Sequence, residues 1–285
     1  MATFTNQATL TYNGTTALSN VTTGQILQNL TAEKTALQQT YAAGDRITYV
    51  LSLINSGSSA LQELTVTDDL GAFVPAGQTE PLYPLTYDAG SAALYVNGVL
   101  QPAPKATAAA PLTLTGISIP AGGNALIVYS AQVNGSAPLE AGSAIENTAG
   151  VDGADLPEPL SASATVSVSE EPLLTVEKTL SPLTVSPDQQ VTYSFLISNY
   201  GNTEAGADAN AVISDTVTPP LSGLTATYNG TLWTEGTEYT YSETTGEFVS
   251  AAGAITVPAA TYTTAPDGTV TTVPGTATLV LEGTV

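Results

Sequence analysis

The sequence contains no histidine and no cysteine, and only four of its 285 residues are lysine or arginine. Without imidazole or thiol groups, the chain lacks the usual general base, the cysteine nucleophile and the common zinc ligands. We therefore expect no enzyme, no cofactor and no metal site. The 25 acidic residues give a net charge of −21. Such a chain cannot neutralise a phosphate backbone, which excludes nucleic acid as a partner.

Long apolar runs are missing as well. No stretch approaches the roughly 20 apolar residues of a membrane-spanning helix, so membrane insertion is not expected. The start of the chain has neither the basic residues nor the apolar segment of a signal peptide. We expect an extracellular protein of the cell or spore surface, either cut from a precursor or exported without a standard signal. Hydrophobic residues still make up 42% of the chain, which favours folded cores over disorder.

Short runs that alternate between apolar and polar residues recur along the chain, as at residues 47–53, 64–67, 126–129 and 164–168. Alternation with a period of two indicates strands that bury one face. Asn-Gly and Asp-Gly pairs separate many of the runs, and such pairs favour tight hairpin turns. The pattern therefore predicts an all-β sandwich protein.

The chain also repeats itself. The matching pairs are Glu33-Lys34-Thr35 with residues 177–179, Asn55-Ser56-Gly57 with residues 199–201, Val66-Thr67-Asp68 with residues 213–215, and residues 118–121 with residues 256–259. Their shared order indicates two copies of one domain. The predicted boundaries are residues 31–172 for the first copy and 173–285 for the second, with residues 1–30 as a separate segment in front.

Taken in order, these motifs resemble the bacterial conserved repeat domain called domain of unknown function 11. The resemblance rests on Lys-Thr in the first strand, then Thr-Tyr, Asn-x-Gly, Val-Thr-Asp and a closing Asn-x-Ala strand, and it covers both copies. It implies immunoglobulin-like modules that occur in tandem in Gram-positive surface proteins, and it implies no specific ligand. The expected architecture is two tandem immunoglobulin-like β-sandwiches plus an N-terminal hairpin.

The two copies do not end alike. The first copy continues through residues 144–151 and 160–168, which are predicted to form a hairpin that closes the sandwich. The second copy stops at the equivalent of about residue 133. A sandwich without its last strands exposes core positions and unpaired strand edges, which invites aggregation unless something covers them.

Residues 4–10 align with residues 145–151, and residues 18–26 align with residues 160–168. We therefore predict that residues 1–30 form a closing hairpin for a domain whose body lies elsewhere. Strand addition of this kind combines ladder hydrogen bonds with alternate side-chain anchors. The predicted donor-strand anchors are Phe4, Ala8, Leu10 and Tyr12.

A complete domain stands between this hairpin and the open second copy. Insertion into another molecule is therefore favoured. It predicts a head-to-tail homopolymer, in which this chain is the structural subunit of a fibre. Closure of the hairpin onto its own chain, and a truncated or misaligned end, remain alternatives. So does a fragment of a cell-surface adhesin that acts as a binding or stalk module. Acidic pairs such as Asp68-Asp69 lack the spacing of a calcium loop and are interpreted as solvated turns.

Lys34 and Lys178 occupy the same position in the two copies. One interpretation is a surface ion pair with the preceding glutamate, which contributes little to stability. The other comes from the resemblance to pilin and adhesin domains, in which a buried lysine attacks an asparagine while a carboxyl group shuttles protons. That chemistry needs a neutral amine and a protonated acid, both of which burial favours. The candidate residues are Lys34, Asp68 and Asn147 within the first domain, and Lys178, Asp215 and Asn6 between subunits.

Overall fold

The computed structural model describes residues 3–75, 77–107, 109–265 and 267–285. It forms two compact units, one of Met1–Pro138 with Ser143–Val168 and one of Leu139–Gly142 with Ser169–Val285. Regular structure is almost entirely β-strand; the one helix among the described residues is the single 3-10 turn Ala207–Ala209. No membrane-spanning helix occurs within those ranges. The prediction of an all-β fold is confirmed.

The first strands of the chain form a long hairpin. Its strands are β1 (Thr3–Asn6), β2 (Thr9–Tyr12), β3 (Thr15–Leu18) and β4 (Thr22–Gln25). β1 pairs with β4 and β2 with β3, both antiparallel, and neither pair joins a larger sheet in the described structure. At the tip, Asn13 and Gly14 have φ values of 46° and 74°. Two successive positive φ values characterise the hairpin turn that Asn-Gly favours.

The rest of unit 1 is a β-sandwich. Its strands are β5 (Leu30–Ala36), β6 (Thr40–Tyr41), β7 (Arg46–Asn55), β8 (Leu61–Asp68), β9 (Leu85–Tyr87), β10 (Ala93–Val96), β11 (Val99–Leu100), β12 (Lys105–Thr107), β13 (Leu112–Ile119), β14 (Asn124–Val133), β15 (Ala144–Asp152) and β16 (Leu160–Val168). One sheet has the order β11-β10-β14-β7-β5, with β9 also paired to β14. The other has the order β12-β13-β8-β15-β16-β6.

The core of unit 1 lies between these two sheets. Alternate residues of each long strand point inward, as the sequence pattern predicts. Inward-facing side chains with almost no exposed surface include Ile47, Tyr49, Leu51, Leu53, Ile127 and Tyr129. The closing strands supply the other side of this core through Ile145, Ala149, Val151 and Val166. β15 lies between β8 and β16, so the predicted closing hairpin is a central part of its sheet.

Unit 2 contains the same first sheet and a smaller second one. Its strands are β17 (Leu174–Ser181), β18 (Gln190–Asn199), β19 (Ser214–Thr216), β20 (Ser222–Tyr228), β21 (Thr231–Leu232), β22 (Tyr239–Tyr241), β23 (Glu247–Ser250), β24 (Thr261–Thr264), β25 (Val270–Val273) and β26 (Gly275–Thr284). The sheets have the orders β17-β18-β26-β20-β21 and β19-β23-β22, and β24 pairs with β25 alone.

Equivalent buried asparagines show the repeat at the level of hydrogen bonds. Asn55 and Asn199 share three hydrogen bonds: Nδ2 donates to two backbone carbonyls, and Oδ1 accepts a backbone N–H. The partners, at 2.7–3.0 Å, are Ser59, Pro120 and Gly57 in unit 1 and Thr203, Pro258 and Gly201 in unit 2. The same side chain therefore ties the same turn to the same neighbouring loop in both units.

The two units differ at one sheet edge. In unit 1, β8 pairs on one side with β13 and on the other with β15. Its counterpart β19 pairs with β23, through Asp215 opposite Phe248, and no described strand of the chain pairs with its other edge. The second sheet of unit 2 consequently has a free edge where unit 1 has its closing hairpin.

Candidate functional site

Lys34 and Asp68 meet inside the sandwich of unit 1. Lys34 occupies an inward position of β5 in the first sheet, and Asp68 is the last residue of β8 in the second. The Lys34 Nζ donates a hydrogen bond to Asp68 Oδ2 at 2.7 Å, and the two side chains are 0% and 1% exposed. Burial of this pair carries a large desolvation cost, which further polar partners must offset.

Tyr129 and the backbone of Leu70 supply those partners, and Asn147 joins the cluster through Tyr129. Asn147 lies on β15, the neighbour of β8, and is completely buried. Its Nδ2 donates to the hydroxyl of Tyr129 at 3.3 Å, and that hydroxyl donates in turn to Asp68 Oδ2. The backbone N–H of Leu70 donates to the other Asp68 oxygen at 3.0 Å. The structure thus brings together the three residues predicted for unit 1, and it adds Tyr129.

Burial also shifts the protonation equilibria of this cluster. It lowers the pKa of Lys34 below its ordinary value, although the neighbouring Asp68 carboxylate opposes that shift. It raises the pKa of Tyr129 well above its usual range, and the negative charge of Asp68 adds to this effect. Transfer of one proton from Lys34 to Asp68 would convert an ion pair into a neutral pair, which a dry interior favours. The cluster can therefore hold the unprotonated amine that a nucleophile requires.

Two aromatic rings enclose the amine. The Lys34 Nζ lies 4.9 Å from the ring centroid of Tyr49 and 5.9 Å from that of Tyr129. The two rings stack with centroids 5.5 Å apart. These contacts keep water away from the amine and direct it toward Asp68. Sequence reasoning missed Tyr129, because its role depends on a cross-strand position opposite Tyr49 that no motif marks.

In unit 2 the equivalent pair is less enclosed. The Lys178 Nζ donates to Asp215 Oδ2 at 2.5 Å and lies 4.6 Å from the ring centroid of Tyr193. However, the two side chains are 38% and 17% exposed. In unit 1 the strand that carries Asn147 covers Asp68, and the described part of unit 2 has no strand at this position. The site in unit 2 therefore has the amine and the carboxylate, without an amide.

The outer part of the N-terminal hairpin, β1 with β4, has the register of the closing hairpin of unit 1, whereas the inner pair is shifted by one residue. Leu10 lies opposite Ala17, where the alignment places it opposite Leu18. Asn6 lies opposite Thr22 as Asn147 lies opposite Ala164. Phe4 likewise lies opposite Gly24, where unit 1 has Ile145 opposite Val166. The alignment predicts both of these correspondences. Three of the predicted anchors, Phe4, Leu10 and Tyr12, are 57%, 64% and 56% exposed, and Ala8, between β1 and β2, is exposed too.

Acidic side chains next to the cluster have structural partners. Asp69 follows Asp68 directly and accepts backbone N–H bonds from Gly71 at 2.9 Å and Thr148 at 2.8 Å. These bonds fix the turn after β8 to the closing strand. Within the described ranges, no three acidic side chains come together as a metal site would require.

No protein-family model and no curated protein matches the chain. Among solved structures, the chain is similar to the major pilin subunit of Bacillus cereus, with 13% identity over 96% of this chain and 73% of that chain and a TM-score of 0.38. It is also similar to the collagen-binding domain of a Staphylococcus aureus adhesin, with 12% identity over 49% of this chain and 99% of that chain and a TM-score of 0.31.

A family 123 glycoside hydrolase from Clostridium perfringens matches 50% of the chain with 11% identity and a TM-score of 0.32. This chain covers 27% of the hydrolase, about a quarter of its length. At these identities and TM-scores, none of the three similarities supports a functional inference.

Proposed function

We propose that this chain is the structural subunit of a head-to-tail fibre at the cell or spore surface. The N-terminal hairpin of one copy completes the second sandwich of the next copy. The observation that carries this proposal is the register that β1 and β4 share with the closing strands β15 and β16, combined with the free edge of β19. A contact between different surfaces of identical subunits propagates as a filament unless its rotation closes a ring.

An apolar groove in unit 2 supports this insertion. The groove is open, measures about 150 Å³ and is lined by Leu174, Val176, Ile197, Val212, Ile213 and Ile255. In unit 1, Val151 pairs with Val66, whose counterpart in unit 2 is Ile213. Leu10 is the counterpart of Val151 in the sequence alignment, so we expect the inserted hairpin to place Leu10 near Ile213. Full burial of one such side chain stabilises the contact by about 1.5–3 kcal/mol.

The charge pattern supports the same arrangement. Although the chain has a net charge of −21, residues 2–32 contain no charged side chain. Insertion of this segment into a sandwich therefore buries no charged side chain of the hairpin itself. The remaining acidic surface keeps neighbouring fibres apart in solution. In this proposal the chain has a structural role and acts on no substrate.

The competing proposal is a stalk or binding module of a longer adhesin. In that case a following segment of the same chain would cover the free edge of β19. Purified protein of this sequence would then remain monomeric at all concentrations. Negative-stain electron microscopy distinguishes the two functions, because only the fibre subunit forms filaments on its own.

The contact between Phe4 and Gly24 provides a sharper test. A Cβ atom added at Gly24 would lie 2.3 Å from the Phe4 ring, so Gly24→Val forces the ring off its place on the hairpin. We expect this substitution to reduce filament number strongly in electron micrographs. Phe4→Ile combined with Gly24→Val reproduces the Ile145–Val166 pair of unit 1 and should restore assembly.

Thr23→Val is the matched control, because it introduces the same side chain one residue away, on the opposite face of the strand. We expect it to leave assembly unchanged. Equal filament formation by all of these variants would contradict the role of this face, and a wild-type protein without filaments would contradict the fibre.

We also propose that Lys34 and Asn147 form an isopeptide bond within unit 1. The neutral Lys34 Nζ attacks the Asn147 Cγ, the bond from Cγ to Nδ2 breaks, and Nδ2 leaves as ammonia. Support comes from the shared burial of the two groups and from their connection through Asp68 and Tyr129. The reaction needs no external reagent, because the amine supplies the nucleophile and the amide the leaving group.

The register of the hairpin extends this chemistry to the subunit contact. An inserted hairpin places Asn6 where Asn147 lies in unit 1, beside Lys178 and Asp215, and removes this pair from solvent. We expect fibres boiled in detergent to give an electrophoretic ladder at multiples of 28.9 kDa. Lys178→Ala and Asn6→Ala should each abolish the ladder, because either substitution removes one of the reacting groups.

Asn20→Ala is a matched control within the same hairpin and should retain the ladder. Asn147→Ala should retain it too, since that residue belongs to the bond inside unit 1. Unmodified Lys178 peptides recovered from assembled fibres would contradict the covalent contact and leave the non-covalent fibre in place.

A further inference from the structure

We infer that Tyr129 is a proton relay in the formation of the Lys34–Asn147 bond: its hydroxyl passes the proton released by the lysine to the leaving nitrogen of the asparagine. The inference rests on the proposed isopeptide bond and names a residue that this chemistry uses in unit 1. In this role the Tyr129 hydroxyl directly contacts the leaving nitrogen, Asn147 Nδ2.

The hydrogen bonds of the cluster form one continuous chain. Lys34 Nζ donates to Asp68 Oδ2, the Tyr129 hydroxyl donates to the same oxygen, and Asn147 Nδ2 donates to that hydroxyl. Asp68 makes no direct hydrogen bond to Asn147 among the described contacts. The carboxylate therefore reaches the leaving nitrogen through the tyrosine.

The proton balance of the reaction requires such a path. When Nζ bonds to Cγ it must lose a proton, and Nδ2 must gain one to leave as ammonia. The proton that Asp68 took from Lys34 passes to Tyr129 as Tyr129 gives its hydroxyl proton to Nδ2, and Asp68 Oδ2 then accepts the proton that Nζ loses on bonding to Cγ. Both Asp68 and Tyr129 end in their starting states, and the only net product besides the new amide is ammonia.

The protonation state of Tyr129 agrees with a relay. Burial, reinforced by the charge of Asp68, raises the pKa of this phenol well above its usual range. A deprotonated Tyr129 is thus disfavoured as an intermediate. The hydroxyl must therefore receive a proton at the same time as it gives one away. A positioned group that transfers a proton in this manner contributes typically about 10²–10⁴-fold to a rate.

Packing alone does not account for a tyrosine at this position. In unit 2, Tyr193 pairs with Leu281 in the way that Tyr49 pairs with Tyr129 in unit 1. Leu281 is completely buried, so the fold accepts an aliphatic side chain here. A buried hydroxyl costs free energy unless its hydrogen bonds are made. Tyr129 carries such a hydroxyl in the unit that also contains the complete set of reacting groups.

Tyr49 offers a matched control. Its ring stacks on that of Tyr129 and is equally buried, yet among the described contacts its hydroxyl makes no hydrogen bond to Asp68. The experiment compares wild type, Tyr129→Phe and Tyr49→Phe in the full chain. Each is synthesised in a short cell-free pulse, and intact mass is followed with time. Bond formation appears as a loss of about 17 Da, the mass of the ammonia released in the nucleophilic step.

We expect Tyr129→Phe to slow this mass loss by about 10²-fold or more, and Tyr49→Phe to change it by no more than a few-fold. Circular dichroism and limited proteolysis establish that each variant is folded. Tyr129→Leu, which introduces the side chain that unit 2 tolerates, serves as the second variant if Tyr129→Phe does not fold. A slow rate in a folded position-129 variant together with a fast Tyr49→Phe supports the relay.

The remaining outcomes overturn the relay in distinguishable ways. If the wild type shows no mass loss, the isopeptide bond and the relay fail together. If the wild type and the position-129 variants lose mass at the same rate, the relay fails and the bond stands. Equal slowing by Tyr129→Phe and Tyr49→Phe would also overturn it, since a general loss of packing then explains the effect.

Discussion

Deletion of residues 2–24 is expected to abolish filaments and leave monomers. The deletion removes β1, β2 and β3 and all but the last residue of β4, and it ends before β5, the first strand of the unit 1 sandwich. Every subunit then keeps the free edge of β19 and loses the hairpin that would cover it. Burial of Phe4, Leu10 and Tyr12 at about 1.5–3 kcal/mol each, together with the ladder hydrogen bonds, would be lost at each contact. Sedimentation velocity and negative-stain microscopy measure the outcome.

A peptide of residues 1–28 added to this deletion variant should bind once per chain without producing filaments. The peptide covers the free edge of β19 but carries no free sheet edge of its own to which another subunit could bind. The same peptide with Phe4→Asp and Leu10→Asp should not bind, since an inserted carboxylate would be buried without a partner. Filaments of unchanged number and length after the deletion would rule out the hairpin as the donor. A wild type that is monomeric from the outset would favour the adhesin module.

Much of the fold follows from local sequence patterns. Two-residue alternation predicts the strands at residues 47–53, 64–67 and 126–129, and all three lie within β7, β8 and β14. The Asn-Gly pair at Asn13 predicts a hairpin turn, and the backbone there has the required positive φ values. These features depend on neighbouring residues alone, which makes them accessible from sequence.

The pairing of Lys34 could not be decided in the same way. The sequence places Glu33 beside it and leaves both a surface ion pair and a buried amine open. In the structure, alternation along β5 points Lys34 inward to Asp68, while Glu33 is exposed. The choice depends on which face of an edge strand is covered by the opposite sheet, a property of tertiary packing.

The role of Tyr129 is even harder to predict from the sequence. The alternation of β14 predicts that it is buried, and nothing local predicts a hydrogen bond to Asp68, which is 61 residues away in the chain. The repeat is no guide either, because the equivalent residue of unit 2 is Leu281. The same comparison predicts slower cross-linking at Lys178 than at Lys34, since the site in unit 2 lacks this hydroxyl.

The Lys34–Asn147 bond is expected to have the second large effect, on mass and on stability. It joins β5 to β15 across the two sheets and closes a loop of 113 residues, the difference between positions 147 and 34. In the chain-entropy treatment of cross-links, a loop of about 100 residues corresponds to about 4.7 kcal/mol of stabilisation. For a domain of this size, losing this stabilisation lowers the melting temperature by roughly 10–20 °C. Asn147→Ala should show this decrease together with the disappearance of the mass loss.

Asn147→Ala is preferred to Lys34→Ala, because it keeps the ion pair and avoids leaving the Asp68 carboxylate buried without a cation, which alone costs about 3–5 kcal/mol. Glu33→Gln is the control, since it removes a charge next to Lys34 on the outward side of β5 and should keep both the bond and the melting temperature. Intact mass separates the bond from the cavity that alanine creates, because a cavity destabilises without changing the covalent structure. Wild-type protein with unmodified Lys34 and Asn147 peptides would refute the bond, whatever the melting temperature of the variant.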